Sequence, residues 1–109
     1  MIMDPVISRK SASCDQRSIT KMVEEIQSYY EILDLRRRHM FIEWLRAHSS
    51  RVKTASNVFD VLTAWFESMP YENLWWEYRL IMNEIDWWGN LDEHSLTKIM
   101  LADLARNGA

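Results

Sequence analysis

From residue 19 onward, apolar side chains recur every three to four positions with polar ones between them, which is the period of amphipathic helix. Ile19, Met22, Val23, Ile26, Tyr30 and Leu33 form the first stripe, and Asp15 or Ser18 can cap its start. Met40, Phe41, Trp44 and Leu45 carry the pattern to about Ala47. Between them, Asp34, Leu35, Arg36, Arg37, Arg38 and His39 interrupt it. No Gly or Pro forces a break, so the expected reading is one bent helix of roughly 30 residues, about 45 Å long. A second helix starting at Asp34 is the alternative. A first helix of that length offers an extended packing surface to a second subunit.

Residues 48–56 are polar and read as a loop. Asn57, with Asp60 three residues on, then caps a helix whose stripe is Val58, Val61, Leu62, Trp65, Phe66 and Met69. Pro70 ends that helix and suits the first turn of the next. The next is expected to stop at Gly89 in a left-handed cap. Asn90 with Glu93 opens a last helix carrying Leu91, Leu96, Ile99, Met100, Leu101 and Leu104, ended by Gly108. Short connections predict that consecutive helices pack antiparallel or at steep angles. The expected fold is all-α, a small bundle of four to five helices with a long first helix. It forms one domain over residues 15–109 behind a loose tail at 1–14.

The helix over 70–89 carries four tryptophans in two adjacent pairs. Neighbours on a helix point about 100° apart, so a pair cannot bury both rings against one surface. Tyr71, Leu74, Trp75, Tyr78, Ile81, Met82, Ile85 and Trp88 share one face, read as core. Trp76, Leu80 and Trp87 share the opposite one. Either this helix is central and covered on both sides, or those three side chains form an exposed interaction patch rimmed by Glu77, Arg79, Asn83 and Glu84. Tyr29, Ile32 and Leu35 lie off the main stripe of the first helix and raise the same question.

Composition narrows the class. With 109 residues, 48% hydrophobic and 12% aromatic, the chain can build its own core. Two glycines and two prolines are too few turn formers for a sandwich or barrel. Cys14 is the single cysteine, so no internal disulfide forms. The start lacks a basic, apolar leader, and no run approaches the roughly 18 apolar residues of a spanning helix. A cytoplasmic protein follows as the expectation. The net charge of −3 disfavours nonspecific nucleic-acid binding. The charge is segregated, with a basic middle (Arg36, Arg37, Arg38, Arg46, Arg51, Lys53) and an acidic second half. Attraction between the two within the fold is the favoured account.

Candidate chemistry is sparse. His39 and Glu43 stand four apart on one helix face, the spacing of a surface ion pair, with no further ligand spacing for a metal. Cys14 falls in the tail with nothing to lower its pKa. There is no nucleophile elbow and no glycine-rich phosphate loop. The chain is read as non-enzymatic, with no cofactor and no metal.

In length, lone cysteine and the aromatic helix at 74–88, the chain resembles the small all-helical bacterial antiactivators that sequester LuxR-type quorum-sensing regulators, and phage-encoded inhibitor proteins. The resemblance is one of overall profile. It implies binding to a transcription regulator's ligand domain and prevention of its dimerisation or DNA binding. The function expected is a protein-binding module, plausibly homodimeric, that occludes a partner through Trp76, Leu80, Asn83 and Trp87, with Tyr29, Ile32 and Leu35 as a second set. One alternative is a DNA-binding helical protein using Arg36, Arg37 and Arg38 with Arg46. The other is a small-molecule module with an aromatic pocket.

Overall fold

A computed structural model describes residues 16–108, so the expected tail over 1–14, with Cys14, lies outside the described residues. Five helices follow one another: α1 (Gln16–Ile32), α2 (Leu35–His48), α3 (Val58–Glu67), α4 (Tyr71–Asn90) and α5 (Glu93–Gly108). A short 3-10 turn, Ser50–Val52, sits between α2 and α3. There is no strand among the described residues.

The long first helix is not there. The chain breaks at Leu33 and Asp34, leaving α1 at 17 residues and α2 at 14. Asp34 has extended backbone, with φ −73° and ψ 171°, and its carboxylate accepts from the Arg37 backbone N–H at 2.9 Å. A side-chain cap thus ends the helix without glycine or proline, because an aspartate satisfies a free N–H of the following turn.

Three other boundaries move. The loop over 48–56 begins one residue later and is not purely polar, since Val52 is fully buried beneath its 3-10 turn. α4 runs through Gly89, which has no left-handed φ, and the chain turns instead at Leu91, in extended backbone. α5 is capped by Asp92, not Asn90: its Oδ1 accepts from the Ser95 N–H at 2.7 Å. Asn57 caps α3 as expected, accepting from the Asp60 N–H at 3.2 Å.

The principal packing pairs are α1 on α3, α1 on α4 and α2 on α4, so neighbours in the fold are not neighbours in the chain as short loops had predicted. Tyr78 donates its hydroxyl to Glu25, and Leu33 lies against Gly89, so α1 and α4 run parallel. Arg37 meets Trp88 while His48 meets Glu77, so α2 runs antiparallel to α4. Tyr30 of α1 sets its ring edge-on to Phe59 of α3, centroids 5.2 Å apart. Ile26, Phe41, Leu45, Val52, Leu62, Phe66, Leu74, Ile81, Ile85 and Leu96 are fully buried between these layers.

α5 stands apart. It has no extensive packing pair with any other helix. Leu96 is buried at its base and Ile99 and Met100 are half-buried, but Leu101 and Leu104, expected on the same stripe, are exposed. The molecule measures 56 × 26 × 18 Å. Helices of 20 and 16 residues are about 30 and 24 Å long. The 56 Å axis is therefore longer than any single helix of the fold.

Candidate interaction surface

The core face of α4 is Leu74, Ile81, Ile85 and Trp88, all buried. At 3.6 residues per turn, Trp76, Leu80, Asn83 and Trp87 fall on the opposite side, within about 60° of one another. All four are exposed, Trp76 at 70%. Their spacing of four, three and four residues is the seam a helix presents to a partner helix. The central-helix reading of the sequence is thereby excluded, because α1 and α2 cover only the inner half of α4.

Two tryptophan-helix assignments need correcting. Trp75 and Tyr71 belong to the expected core stripe but are 42% and 61% exposed. They flank the stripe, and α1 covers only one edge of it. Trp75 lies tilted beside Tyr78, centroids 5.9 Å apart, and the Arg79 guanidinium lies over its ring at 5.8 Å. Trp87, by contrast, is braced: its ring meets Trp88 edge-on at 4.8 Å and 83°. A braced, half-exposed indole loses little rotamer freedom when something covers it, and rings of this kind carry much of the energy at interfaces.

The second set does not merge with the first. Tyr29 and Ile32 border a groove of about 310 Å³ with Leu33, Ile85, Asp86, Gly89 and Asn90. Trp87 borders another, of about 320 Å³, with Asn83, Asp86, Asn90 and Leu91. Asp86 and Asn90 stand between the two, joined by Asn90 Nδ2 donating to the Asp86 carbonyl oxygen at 2.9 Å and to its Oδ1 at 3.2 Å. Ile32 and Leu35, 80% and 77% exposed, flank the break between α1 and α2.

The arginine run has a structural job that the sequence did not reveal. Arg37, with a side chain only 11% exposed, donates Nε to the Trp88 carbonyl oxygen at 2.9 Å and Nη2 to the Leu91 carbonyl oxygen at 2.5 Å. Its Nη1 meets Asp34 at 2.5 Å and Glu93 at 3.2 Å. Arg36 grips both Glu93 oxygens, at 2.7 and 2.9 Å. Arg38 donates to the carbonyl oxygens of Tyr30 and Glu31 at the end of α1 and lies over the Tyr30 ring. Cations at helix C-termini satisfy free carbonyls and complement the helix dipole. One arginine caps α1, one caps α4 and one holds the base of α5. Together they form a joint between three helices. Arg46 donates to the Lys53 carbonyl oxygen at 2.8 Å.

The joint perturbs its carboxylates. The Arg37 backbone N–H and guanidinium hold Asp34 below its ordinary pKa, and Arg36 followed by Arg37 do the same for Glu93. The Ser95 N–H and hydroxyl lower Asp92. Burial pushes Glu84 up, against the Trp88 indole N–H that donates to it at 2.9 Å.

A further cluster escaped the sequence reading. His48 stacks on Trp44 with centroids 4.9 Å apart, meets Trp65 edge-on, and shares a hydrogen bond with Glu77 at 2.8 Å. Residues 44, 48, 65 and 77 come from three helices, so no local period shows them. The basic middle and the acidic second half do attract each other, through Arg36 and Arg37 with Glu93.

His39 and Glu43 are exposed and border a shallow groove with Ile42, Arg46, Ala47 and Lys53. Among the described residues, no three His, Cys, Asp or Glu side chains are grouped to hold a metal ion. No described helix is long and apolar enough to cross a membrane. Trp75 and Trp87 border separate grooves, so the tryptophans of α4 do not converge on one aromatic pocket. Comparison with protein-family models, with curated proteins and with solved structures returns no match.

Proposed function

We propose that this chain is a non-enzymatic protein-binding module whose working face is the outer stripe of α4. The observation that carries the reading is the exposure of Trp76, Leu80, Asn83 and Trp87 in one row, on a helix that buries Leu74, Ile81, Ile85 and Trp88 on its other side. Leaving two indoles and a leucine in water forgoes apolar burial that a partner surface recovers. The partner has a helical groove or an apolar helix face, and binding there occludes whatever that surface otherwise contacts. By its resemblance to antiactivators of LuxR-type regulators, a cytoplasmic transcription regulator is the class of partner we favour. The DNA-binding alternative has less to stand on, because Arg36, Arg37 and Arg38 are engaged with helix ends and carboxylates.

The test is capture from the native host's lysate with the wild-type chain and with a Trp76→Ala, Trp87→Ala variant. Both side chains are substantially exposed, so the variant keeps its helicity and melting temperature. It loses the captured protein. Retention of the same protein at the same yield by a folded variant overturns the reading.

A further inference from the structure

We propose that the groove between α1 and α4 is a docking site for this chain's own residues 1–10, which fold back from Gln16 and seat Val6 and Ile7 on Met22, Trp75 and Tyr78. Trp75 and Trp76 point about 100° apart on α4, so this surface is separate from the outer stripe and the inference stands independently of it.

The first observation is a core stripe that lacks its cover. The helical period of α4 places Tyr71, Trp75 and Tyr78 on the inward side with Leu74, Ile81 and Ile85. Tyr71 and Trp75 are nevertheless exposed and Tyr78 is only half-buried. Trp75 and Tyr78 border a groove of about 500 Å³ whose other wall is Lys21, Met22, Glu25 and Ser28 of α1. An apolar face turned outward addresses a foreign surface, whereas one turned inward and left bare lacks a layer of its own fold.

The second is where the remaining chain enters. The stretch before Gln16 lies outside the described residues and joins the fold at the start of α1. Met22 is about 9 Å along α1 from that point, at 1.5 Å per residue. Because α1 and α4 run parallel, with Tyr78 meeting Glu25, the groove opens beside the first half of α1. The chain from Ile7 to Gln16 spans up to about 30 Å when extended. A reversal through Ser11, Ala12 and Ser13 therefore leaves ample length to bring Ile7 onto Met22. A tether this short holds its end near the groove at an effective concentration on the order of millimolar, which no free ligand of ordinary abundance matches.

The third is the chemistry of the occupant. Met1, Ile2, Met3, Val6 and Ile7 are apolar side chains that the described fold does not use. Pro5 and the β-branched pair Val6 and Ile7 favour extended backbone, the form that lies in a groove between two helices. Burial against an indole and a phenol ring recovers apolar area on both sides of the contact.

The test uses the full chain. Val6→Asp with Ile7→Asp is expected to lower the melting temperature by about 5 °C, and Ser8→Asp with Ser11→Asp to leave it within about 1 °C. In a Trp75→Ser background the Val6, Ile7 pair is expected to cost nothing further, because the two sites act through one contact. In a Cys14→Ser background, Ile7→Cys is expected to form an intrachain disulfide with Ser28→Cys about ten-fold faster than with Gln27→Cys. Positions 27 and 28 are both exposed and equally distant along the chain, but only Ser28 borders the groove. An unchanged melting temperature for Val6→Asp with Ile7→Asp overturns the proposal, as does a loss of full size in the Trp75→Ser background. Equal disulfide rates at positions 27 and 28 mean that the segment has no preferred seat and overturn it too. Disulfides formed only between chains assign the groove to a second copy's segment and overturn it in favour of exchange. None of the substituted residues belongs to the outer stripe, so capture of a foreign partner through Trp76 and Trp87 stands or falls separately.

Discussion

Arg37 donates its Nε to the carbonyl oxygen of Trp88 at 2.9 Å, tying the start of α2 to the end of α4. The same guanidinium reaches Leu91, Asp34 and Glu93, so one side chain closes the junction of three helices. Arg37→Ala leaves the Trp88 and Leu91 carbonyls without these donors. It is expected to lower unfolding free energy in urea by about 2–3 kcal/mol. Arg37→Lys rescues only part of this, because an ammonium does not reproduce the fork. A loss below about 0.5 kcal/mol for the alanine variant removes the joint from the account of stability.

Asp34 decides that the first helical stretch is two helices. Asp34→Ala is expected to cost about 1 kcal/mol as a lost N-cap. Asp34→Asn keeps the capping oxygen and loses the charge, so it falls between wild type and alanine. Thermal melts of the three chains check the order.

Acid acts on the same joint. Asp34 and Glu93 are held below their ordinary values of 3.8 and 4.5. Asp92 is likewise held below 3.8. A carboxylate with a depressed native pKa contributes stability that is fully present above its unfolded value and is lost as pH falls through the native one. These groups are therefore expected to leave stability flat from pH 7 to about 5 and to erode it below about 4. Glu84, pushed up by burial, acts oppositely and favours the fold slightly as it protonates. Urea midpoints measured across pH 3–7 for wild type and Glu93→Gln test this, with the variant showing the shallower acid slope.

Adjacent tryptophans should behave unlike one another. Trp88 is buried and donates its indole N–H to Glu84. Trp88→Ala is expected to cost about 3–5 kcal/mol. Trp76→Ala, at an exposed position, should stay within about 0.5 kcal/mol of wild type. Comparable losses at both positions contradict the assignment of faces on α4.

Gly89 is a helical glycine without left-handed backbone, and a Cβ there meets only Leu33 Cδ2 at 3.5 Å, an ordinary contact. Gly89→Ala is expected to raise stability by about 0.5–1 kcal/mol. Destabilisation in a calorimetric melt points to a contact at the floor of the groove beside Tyr29 and Ile32 that alanine blocks.

Local pattern reached far into this protein. Apolar spacing identified the helices, the Asn57 cap and most of the core, because a stripe facing its own domain repeats at 3.6 residues. The angular separation of Trp76, Leu80 and Trp87 from the Leu74 face followed from the same arithmetic. Their exposure did not. Whether a second apolar face is covered depends on how far α1 and α2 wrap α4, a property of packing that no period encodes. Trp75 shows the same limit from the other side, since it sits at the edge of a stripe and the neighbouring helix stops short of covering it. The break at Asp34 was legible only as an alternative, because an aspartate ends a helix when its cap and the joint it enters are both satisfied. That joint draws Arg37, Trp88, Leu91 and Glu93 from across more than fifty residues of chain. The sequence by itself thus determined an all-helical fold and its inward stripes, through local backbone and side-chain periodicity. Only the tertiary structure decided which apolar surfaces remain uncovered, how the arginines are spent, and that α5 packs only lightly on the other helices, because each depends on contacts between elements remote in sequence.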